Sequence, residues 1–178
     1  PMTRRVALFR GINVGGHNRV PMAELRAVFG ALGYDDVSSI IQSGNVCFSS
    51  GGDPDAIRAA IRSAVADTFA VDVPVLLRTH AEIDAALAAH PFPPGEIEPK
   101  LHHLMFLANP PPADAAARIG DHSPSSEYAV IGSEIHVRYP NGSARASLTV
   151  PVVDTALDTI ATARNLPTVE KIAAALAG

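Results

Sequence analysis

The stretch that decides the fold is residues 7–50, ALFRGINVGGHNRVPMAELRAVFGALGYDDVSSIIQSGNVCFSS. It begins inside a short apolar run, Arg5–Phe9, that predicts a buried strand. A glycine-rich loop follows, and Pro21 then opens a stripe of apolar residues at helical spacing. Two more apolar runs, Val37–Ile41 and Val46–Phe48, flank a Gly-Asn pair that tolerates the positive φ of a hairpin turn. The order strand, helix, strand, strand begins a split βαβ unit.

The residues that follow complete this unit. Asp53-Pro54 is typical of a helix N-terminus, because it offers a capping carboxylate and then a first-turn proline. Val73–Leu77 predicts a strand, and Thr79-x-x-Glu82 is a capping box that opens a further helix. The first half therefore runs β-α-β-β-α-β. This order predicts an α+β, ferredoxin-like (split βαβ) fold, in which helices cover one face of an antiparallel sheet.

The second half repeats this order only in part. The proline-rich segment 91–100 predicts a linker between a first domain, residues 1–90, and a second domain, residues 101–178. After the linker we expect a strand, a short helix, a hairpin and two C-terminal helices, which is a partial ferredoxin-like half. The predicted segments are the strand Leu101–Leu107, a helix ending near Gly120, the strands Tyr128–Ile131 and Ile135–Tyr139, and helices around Thr149–Leu157 and Pro167–Leu176.

Composition and charge exclude several classes of protein. The chain has 178 residues, a formal net charge of −4 and 47% hydrophobic residues, which is unlike a disordered chain. Its acidic average argues against a general nucleic-acid or membrane-surface binder, and no apolar run approaches the ~18–20 residues of a membrane span. Because Cys47 is the only cysteine, no intrachain disulfide can form, and we expect a cytoplasmic location.

No cofactor, metal or reaction is predicted. The seven histidines form no metal-binding motif. The glycine-rich loop reads GINVGG, which matches neither the dinucleotide-binding pattern nor the P-loop. Ser43 lies in a strand–strand turn rather than in a nucleophile elbow. The sequence therefore leaves it undecided whether the chain is an enzyme.

Polar residues of the first half gather at one edge of the predicted sheet. In a split βαβ unit, the loop after the first strand and the turn between the second and third strands share that edge, beside the N-terminus of the first helix. Exposed N–H groups and the helix dipole favour an anion there, and arginines add bidentate contacts. We therefore predict a site for a small anionic ligand, such as a phosphorylated one. The candidate residues are Arg10, Asn13, Gly15, Gly16, Asn18, Arg19, Gln42, Ser43 and Asn45, with Arg164 and Asn165 as further members.

Two other functions stay open. The same glycines and amides are typical of residues that only shape a loop and a hairpin, and the chain is then a structural or protein-interaction module. In that case Asn165 caps a helix and Arg164 makes a surface or interdomain pair. A nucleic-acid binder is less favoured, because the strand aromatics form no RNA-binding pattern. His17 is a further candidate, since an imidazole in the polar loop could transfer protons near neutral pH. A monomer or weak dimer is expected.

The same motifs carry a family resemblance. RGINVGG, VPM and IQSGNV in the first half, with YPNGSARASLT and TARNLPTVEKI near the C-terminus, resemble the family known as domain of unknown function 1697. The resemblance implies a cytoplasmic bacterial protein of two ferredoxin-like halves with no established activity, substrate or cofactor. This chain departs from the family pattern at Leu166, where an aromatic is usual, and at Ser147, near which a lysine is usual. These departures put in doubt whether any site common to the family is intact here.

Overall fold

The apolar run at the start of the chain forms an inner strand of an antiparallel sheet. The computed structural model describes residues 1–41 and 44–178. The elements of the first half are β1 (Thr3–Phe9), α1 (Met22–Ala31), β2 (Asp35–Ser39), β3 (Asn45–Ser50), α2 (Pro54–Phe69), β4 (Val75–Thr79) and α3 (His80–Ala89). The strands lie in the order β2-β3-β1-β4, with each neighbouring pair antiparallel. This is the ferredoxin-like arrangement that the sequence predicts.

An aromatic cluster joins α1 to the sheet. Phe29 of α1 packs edge-to-face on Phe9 of β1 and Phe48 of β3, with ring centroids 6.2 and 5.1 Å apart. On α2, Ile57 and Ile61 are buried in the same core, as the helical spacing of apolar residues predicts. The core thus anchors α1, whose N-terminus lies at the loop that the sequence singles out.

Several predicted helix ends are confirmed by their hydrogen bonds. The Asp53 carboxylate accepts from the backbone N–H of Ala56 at 3.0 Å and caps α2. The capping box before α3 is reciprocal, because the Glu82 carboxylate accepts from the Thr79 N–H at 2.9 Å and the Thr79 hydroxyl accepts from the Glu82 N–H at 3.2 Å. Gly120 ends the predicted short helix with a positive φ of 84°.

The second half is more complete than the sequence predicts. Both predicted C-terminal helices are present, and a strand that the sequence did not predict, β8 (Ala161–Asn165), lies between them and pairs antiparallel with β5 (His102–Leu107). The sheet order is β6 (Glu127–Ile131), β7 (Glu134–Arg138), β5, β8. The sequence of β8, ATARN, has only one β-branched residue, so its strand signal is weak. The elements are a 3-10 turn (Pro99–Leu101), β5 (His102–Leu107), α4 (Ala115–Ile119), β6 (Glu127–Ile131), β7 (Glu134–Arg138), α5 (Val150–Leu157), β8 (Ala161–Asn165) and α6 (Leu166–Ala177).

The two halves repeat each other down to individual backbone hydrogen bonds. In each half, the last residue of the first strand donates to the hairpin between the second and third strands. The residue that follows the first strand donates to the residue immediately before the last strand. The matching bonds are Phe9 N–H to Gly44 O (2.9 Å) with Leu107 N–H to Ser133 O (3.0 Å), and Arg10 N–H to Pro74 O (3.0 Å) with Ala108 N–H to Ile160 O (2.8 Å).

The described chain divides into two compact units. Unit 1 comprises Pro1–Asp84 together with Lys171–Gly178, and unit 2 comprises Ala85–Glu170. Within unit 1, the Arg4 guanidinium donates to the carbonyl of Ala175 at 3.0 Å, which attaches the C-terminal residues. The domain limits at 1–90, 91–100 and 101–178 stay a prediction. Among the helices of the described residues, none has the length and apolar character needed to cross a membrane.

Candidate functional site

The loop after β1 and the β2–β3 hairpin meet at Gly44. The Phe9 N–H donates to the Gly44 carbonyl at 2.9 Å. A Cβ on Gly44 would lie 2.9 Å from both the Phe9 Cβ and the Ile12 Cγ1, and Gly44 has a φ of +80°. Only glycine fits there without strain. The loop after β1 and the hairpin, which the predicted topology brings to the same edge of the sheet, are therefore in close contact at Gly44.

Two asparagine side chains hold the loop in shape. The Asn13 amide nitrogen donates to the Val20 carbonyl at 2.9 Å, and its oxygen accepts from the Val20 N–H at 2.8 Å. The Asn18 amide donates to the Gly11 carbonyl at 2.9 Å. Both residues have a positive φ, near 50°, which asparagine tolerates better than most residues. These two amides therefore order the loop backbone from within.

The tip of the loop is a tight hairpin. Val14 and His17 form an isolated antiparallel bridge, and the His17 N–H donates to the Val14 carbonyl at 2.9 Å. Gly15 and Gly16 between them have φ values of +57° and +79°. A two-residue turn of this type requires positive φ at both central residues, which explains the glycine pair. His17 is exposed at this tip.

A cavity of about 340 Å³ lies at the base of the loop, lined by Asn13, Gly16, Arg19, Val20 and Pro21. α1 begins at this cavity, and its N-cap residue, Pro21, makes no side-chain capping bond. Arg19 is exposed, and no ion pair with it occurs in the described parts of the chain. The cavity thus combines a helix N-terminus with a guanidinium, a pairing that attracts anions.

The other described candidates of the first half are not among the residues that line this cavity. Arg10 is half-buried, and its backbone N–H donates to Pro74. Asn45 is 0% exposed, and its amide donates to the Ile40 carbonyl at 3.0 Å. Gln42 and Ser43 lie outside the described residues. The structure brings Asn13, Gly16 and Arg19 together at one cavity.

Arg164 and Asn165 belong to unit 2. Arg164 is 7% exposed, and its guanidinium donates to the Thr162 hydroxyl at 2.7 Å and the Ala163 carbonyl at 2.9 Å. Its burial lowers its pKa to about 10. The Asn165 amide oxygen accepts from the Thr168 N–H at 2.9 Å and caps the first turn of α6. Within unit 2, both side chains support the end of β8 and the start of α6.

The sequence analysis missed a second polar cluster, in unit 2. His90, which follows α3, joins His136 of β7 and His102 of β5 through its two ring nitrogens, each contact being 2.9 Å. Burial lowers the pKa of His90 and of His136 to about 4. No sequence motif could have revealed this cluster, because the pairing of β5 with β7 brings His102 near His136, and His90 reaches them from the end of α3. In residues 1–41 and 44–178, no three His, Cys, Asp or Glu side chains are arranged to hold a metal ion.

The fold defines the class of protein: an α+β chain built from two ferredoxin-like halves. The chain belongs to the family described as "Protein of unknown function (DUF1697)", whose model matches residues 2–136. It is similar in structure to the conserved bacterial protein SP0830 from Streptococcus pneumoniae, with a TM-score of 0.75, 26% sequence identity and 99% of each chain covered. No curated protein matches the chain.

Proposed function

We propose that the protein binds a small anionic ligand, such as a phosphorylated one, in the cavity at the start of α1. The observation that carries this proposal is the position of Arg19 beside an N-terminus that has no side-chain cap. Backbone N–H groups of a first helical turn have no intrahelical partner, so they can donate to phosphate or carboxylate oxygens. The cavity volume of about 340 Å³ lies at the small end of the usual range for ligand pockets.

The local charge supports the proposal although the chain is acidic as a whole. Residues 1–19 contain four arginines and no acidic residue. The amides of Asn13 and Asn18 hold the loop in one conformation, so little ordering of the backbone is needed when a ligand binds. Glu24 in the first turn of α1 is the nearest opposing charge in sequence, and its exposure to solvent weakens its effect.

An Arg19→Gln substitution tests this proposal. The melting temperature of the full chain is measured at low salt with inorganic phosphate, sugar phosphates and nucleotides. We expect at least one of these anions to raise the melting temperature of the wild-type chain and Arg19→Gln to reduce that rise by half or more. Arg58→Gln is the matched control, because it also removes an exposed arginine of unit 1 but lies on α2. The proposal fails if no anion raises the melting temperature, or if both variants respond like the wild type.

A structural or protein-interaction role is the second candidate. It is favoured by the asparagine amides of the loop, which are bonded to backbone groups of the loop itself. If this role is correct, the anions leave the melting temperature unchanged while Asn13→Ala lowers it. Binding of nucleic acid is a weaker alternative, and it requires retention on heparin that declines steeply with salt.

We also propose a cytoplasmic location. Cys47 is free and buried, and its burial raises the pKa of the thiol to about 11, which keeps it protonated and unreactive. A buried neutral thiol behaves as a small apolar side chain and suits a reducing compartment. Cell fractionation with an antibody against the chain tests this location.

A further inference from the structure

Unit 2 contains a second cavity, and it differs in chemistry from the one at α1. Its volume is about 450 Å³, within the range of pockets that hold small molecules. Most of its wall is apolar, with Leu87, Phe92, Ile97 and Leu166 among the lining side chains. All of these residues belong to unit 2. An apolar cavity of this size favours a ligand that buries hydrocarbon surface.

Histidine side chains form the polar part of the wall. His136, His90 and His102 are joined in this order by hydrogen bonds and are called the histidine chain below. His102 and His90 both line the cavity. His90 uses Nδ1 to contact Nδ1 of His136 and Nε2 to contact Nδ1 of His102. His102 is 1% exposed and His136 is 0% exposed. The histidine chain therefore runs from the buried imidazole of His136, through His90, to the imidazole of His102 at the cavity.

The hydrogen bonds of this chain have a direction. Each neutral imidazole carries one N–H, so three rings joined by two hydrogen bonds leave one N–H at one end and one lone pair at the other. The buried end is Nε2 of His136, which has no hydrogen-bond partner among the described residues. A buried N–H without an acceptor is rarer than a buried acceptor without a donor. The favoured arrangement therefore puts the lone pair on His136 and the terminal N–H on Nε2 of His102.

The histidine chain is uncharged at neutral pH. Burial lowers the pKa of His90 and His136 to about 4, and burial together with the positive charge of Arg138 lowers the pKa of His102. Glu170, also in the cavity lining, is an exposed carboxylate. The nearby Arg138 guanidinium is already paired with the carboxylates of Glu96 and Glu127, so an uncharged donor beside the Glu170 carboxylate is left to face an anion. The cavity therefore disfavours negatively charged ligands.

The wall around Phe92 is held by a charged network. The Arg138 guanidinium lies 5.4 Å from the centroid of the Phe92 ring. It also pairs with Glu96 and, at 2.6 Å, with Glu127. These contacts restrain the segment that carries Phe92, because one guanidinium links β6, β7 and the proline-rich segment. The cavity wall is therefore braced before any ligand enters.

We propose that this cavity binds a small, uncharged and largely apolar molecule through one hydrogen-bond acceptor, which receives the N–H of His102 Nε2. The apolar wall contributes most of the affinity, and the imidazole selects for a carbonyl or ether oxygen. This site is separate from the anion site of unit 1 in both its residues and its ligand class, so either proposal can fail without the other.

Acetophenone, ethylbenzene and benzoate test this proposal on the full chain. They share a benzene ring and a short substituent, and differ in having a neutral acceptor, no acceptor or a negative charge. Binding is measured by calorimetric titration at neutral pH, and the imidazole ¹⁵N signals are followed by NMR. We expect acetophenone to bind at least tenfold more tightly than ethylbenzene and benzoate, and to shift the signal of His102 Nε2. The proposal is overturned if acetophenone does not bind, or binds no better than ethylbenzene or benzoate.

Cavity-filling substitutions locate the binding. Leu166→Trp fills the cavity from α6, and Ile97→Trp fills it from the proline-rich segment; both side chains are half-buried. Each is expected to weaken acetophenone binding at least tenfold. Ile131→Trp on β6 is the matched control, since Ile131 is also half-buried but is not among the cavity-lining residues. Circular dichroism shows which of the two cavity variants folds. If a folded cavity variant binds acetophenone as tightly as the wild type, the ligand lies elsewhere and the proposal is refuted.

Discussion

Gly44 of the β2–β3 hairpin lies close to Phe9 of β1 and Ile12 of the loop that follows it. Gly44→Ala should destabilise the chain by about 2–4 kcal/mol, because it adds both strain at positive φ and overlap with Phe9 and Ile12. Gly30→Ala is the control. Gly30 lies in α1, where a Cβ meets no atom within 4 Å, so this change should stabilise by about 0.5–1 kcal/mol. Urea unfolding measures both, and equal effects would contradict this account of Gly44.

Single residues also show how far the candidate site could be predicted. That Gly44-Asn45 favours a hairpin turn follows from residue type alone, since few residues other than glycine and asparagine accept a positive φ. The sequence did not reveal that the amide of Asn13 bonds twice to the backbone of Val20. An amide has both a donor and an acceptor, and only the path of the loop determines which groups they meet.

At the scale of single elements, α2 depends on its N-cap. Asp53→Ala should destabilise unit 1 by about 1 kcal/mol, because it leaves the Ala56 N–H without its capping acceptor and removes a negative charge from the helix N-terminus. Asp67→Ala in the last turn of the same helix is the control, since Asp67 is exposed and lies at the end where a carboxylate opposes the dipole. Thermal unfolding checks both, and a larger loss at Asp67 would refute the capping role.

Elements differed in how well the sequence predicted them. α2 and α3 begin where their caps predict, because capping is a local interaction between residues three apart. β8 was not predicted, because alanines at Ala161 and Ala163 carry no strand signal of their own. Its strand conformation comes from pairing with β5, far away in the sequence. Long-range pairing of this kind can override weak local preference.

At the scale of the whole molecule, the histidine chain should make stability depend on pH. The pKa of His136 is lowered to about 4 in the folded chain, against about 6.5 when unfolded. Between these values the unfolded state binds more protons, so stability falls as the pH is lowered from about 6.5 to about 4. The loss for this buried ring should be on the order of 2–3 kcal/mol. Urea unfolding at about pH 7 and pH 4.5 measures it.

Two variants separate this effect from general acid denaturation. His136→Asn should lose the contribution of His136 while that of His90 remains, so its stability should change less between the two pH values than that of the wild type. His17→Gln, at the exposed loop tip, should keep the wild-type dependence on pH. An identical pH dependence in all three chains would show that the buried imidazoles do not control acid stability.

The sequence by itself determined the α+β class, the first ferredoxin-like half and the ends of several helices. These depend on periodicity, caps and turns, which act between residues close in the chain. Only the tertiary structure decided that the second half is complete, that Asn13 closes its own loop and that His90, His102 and His136 form one chain. The reason is physical: strand pairing and burial bring together residues whose separation in sequence carries no signal, and those contacts determine which polar groups remain for a ligand.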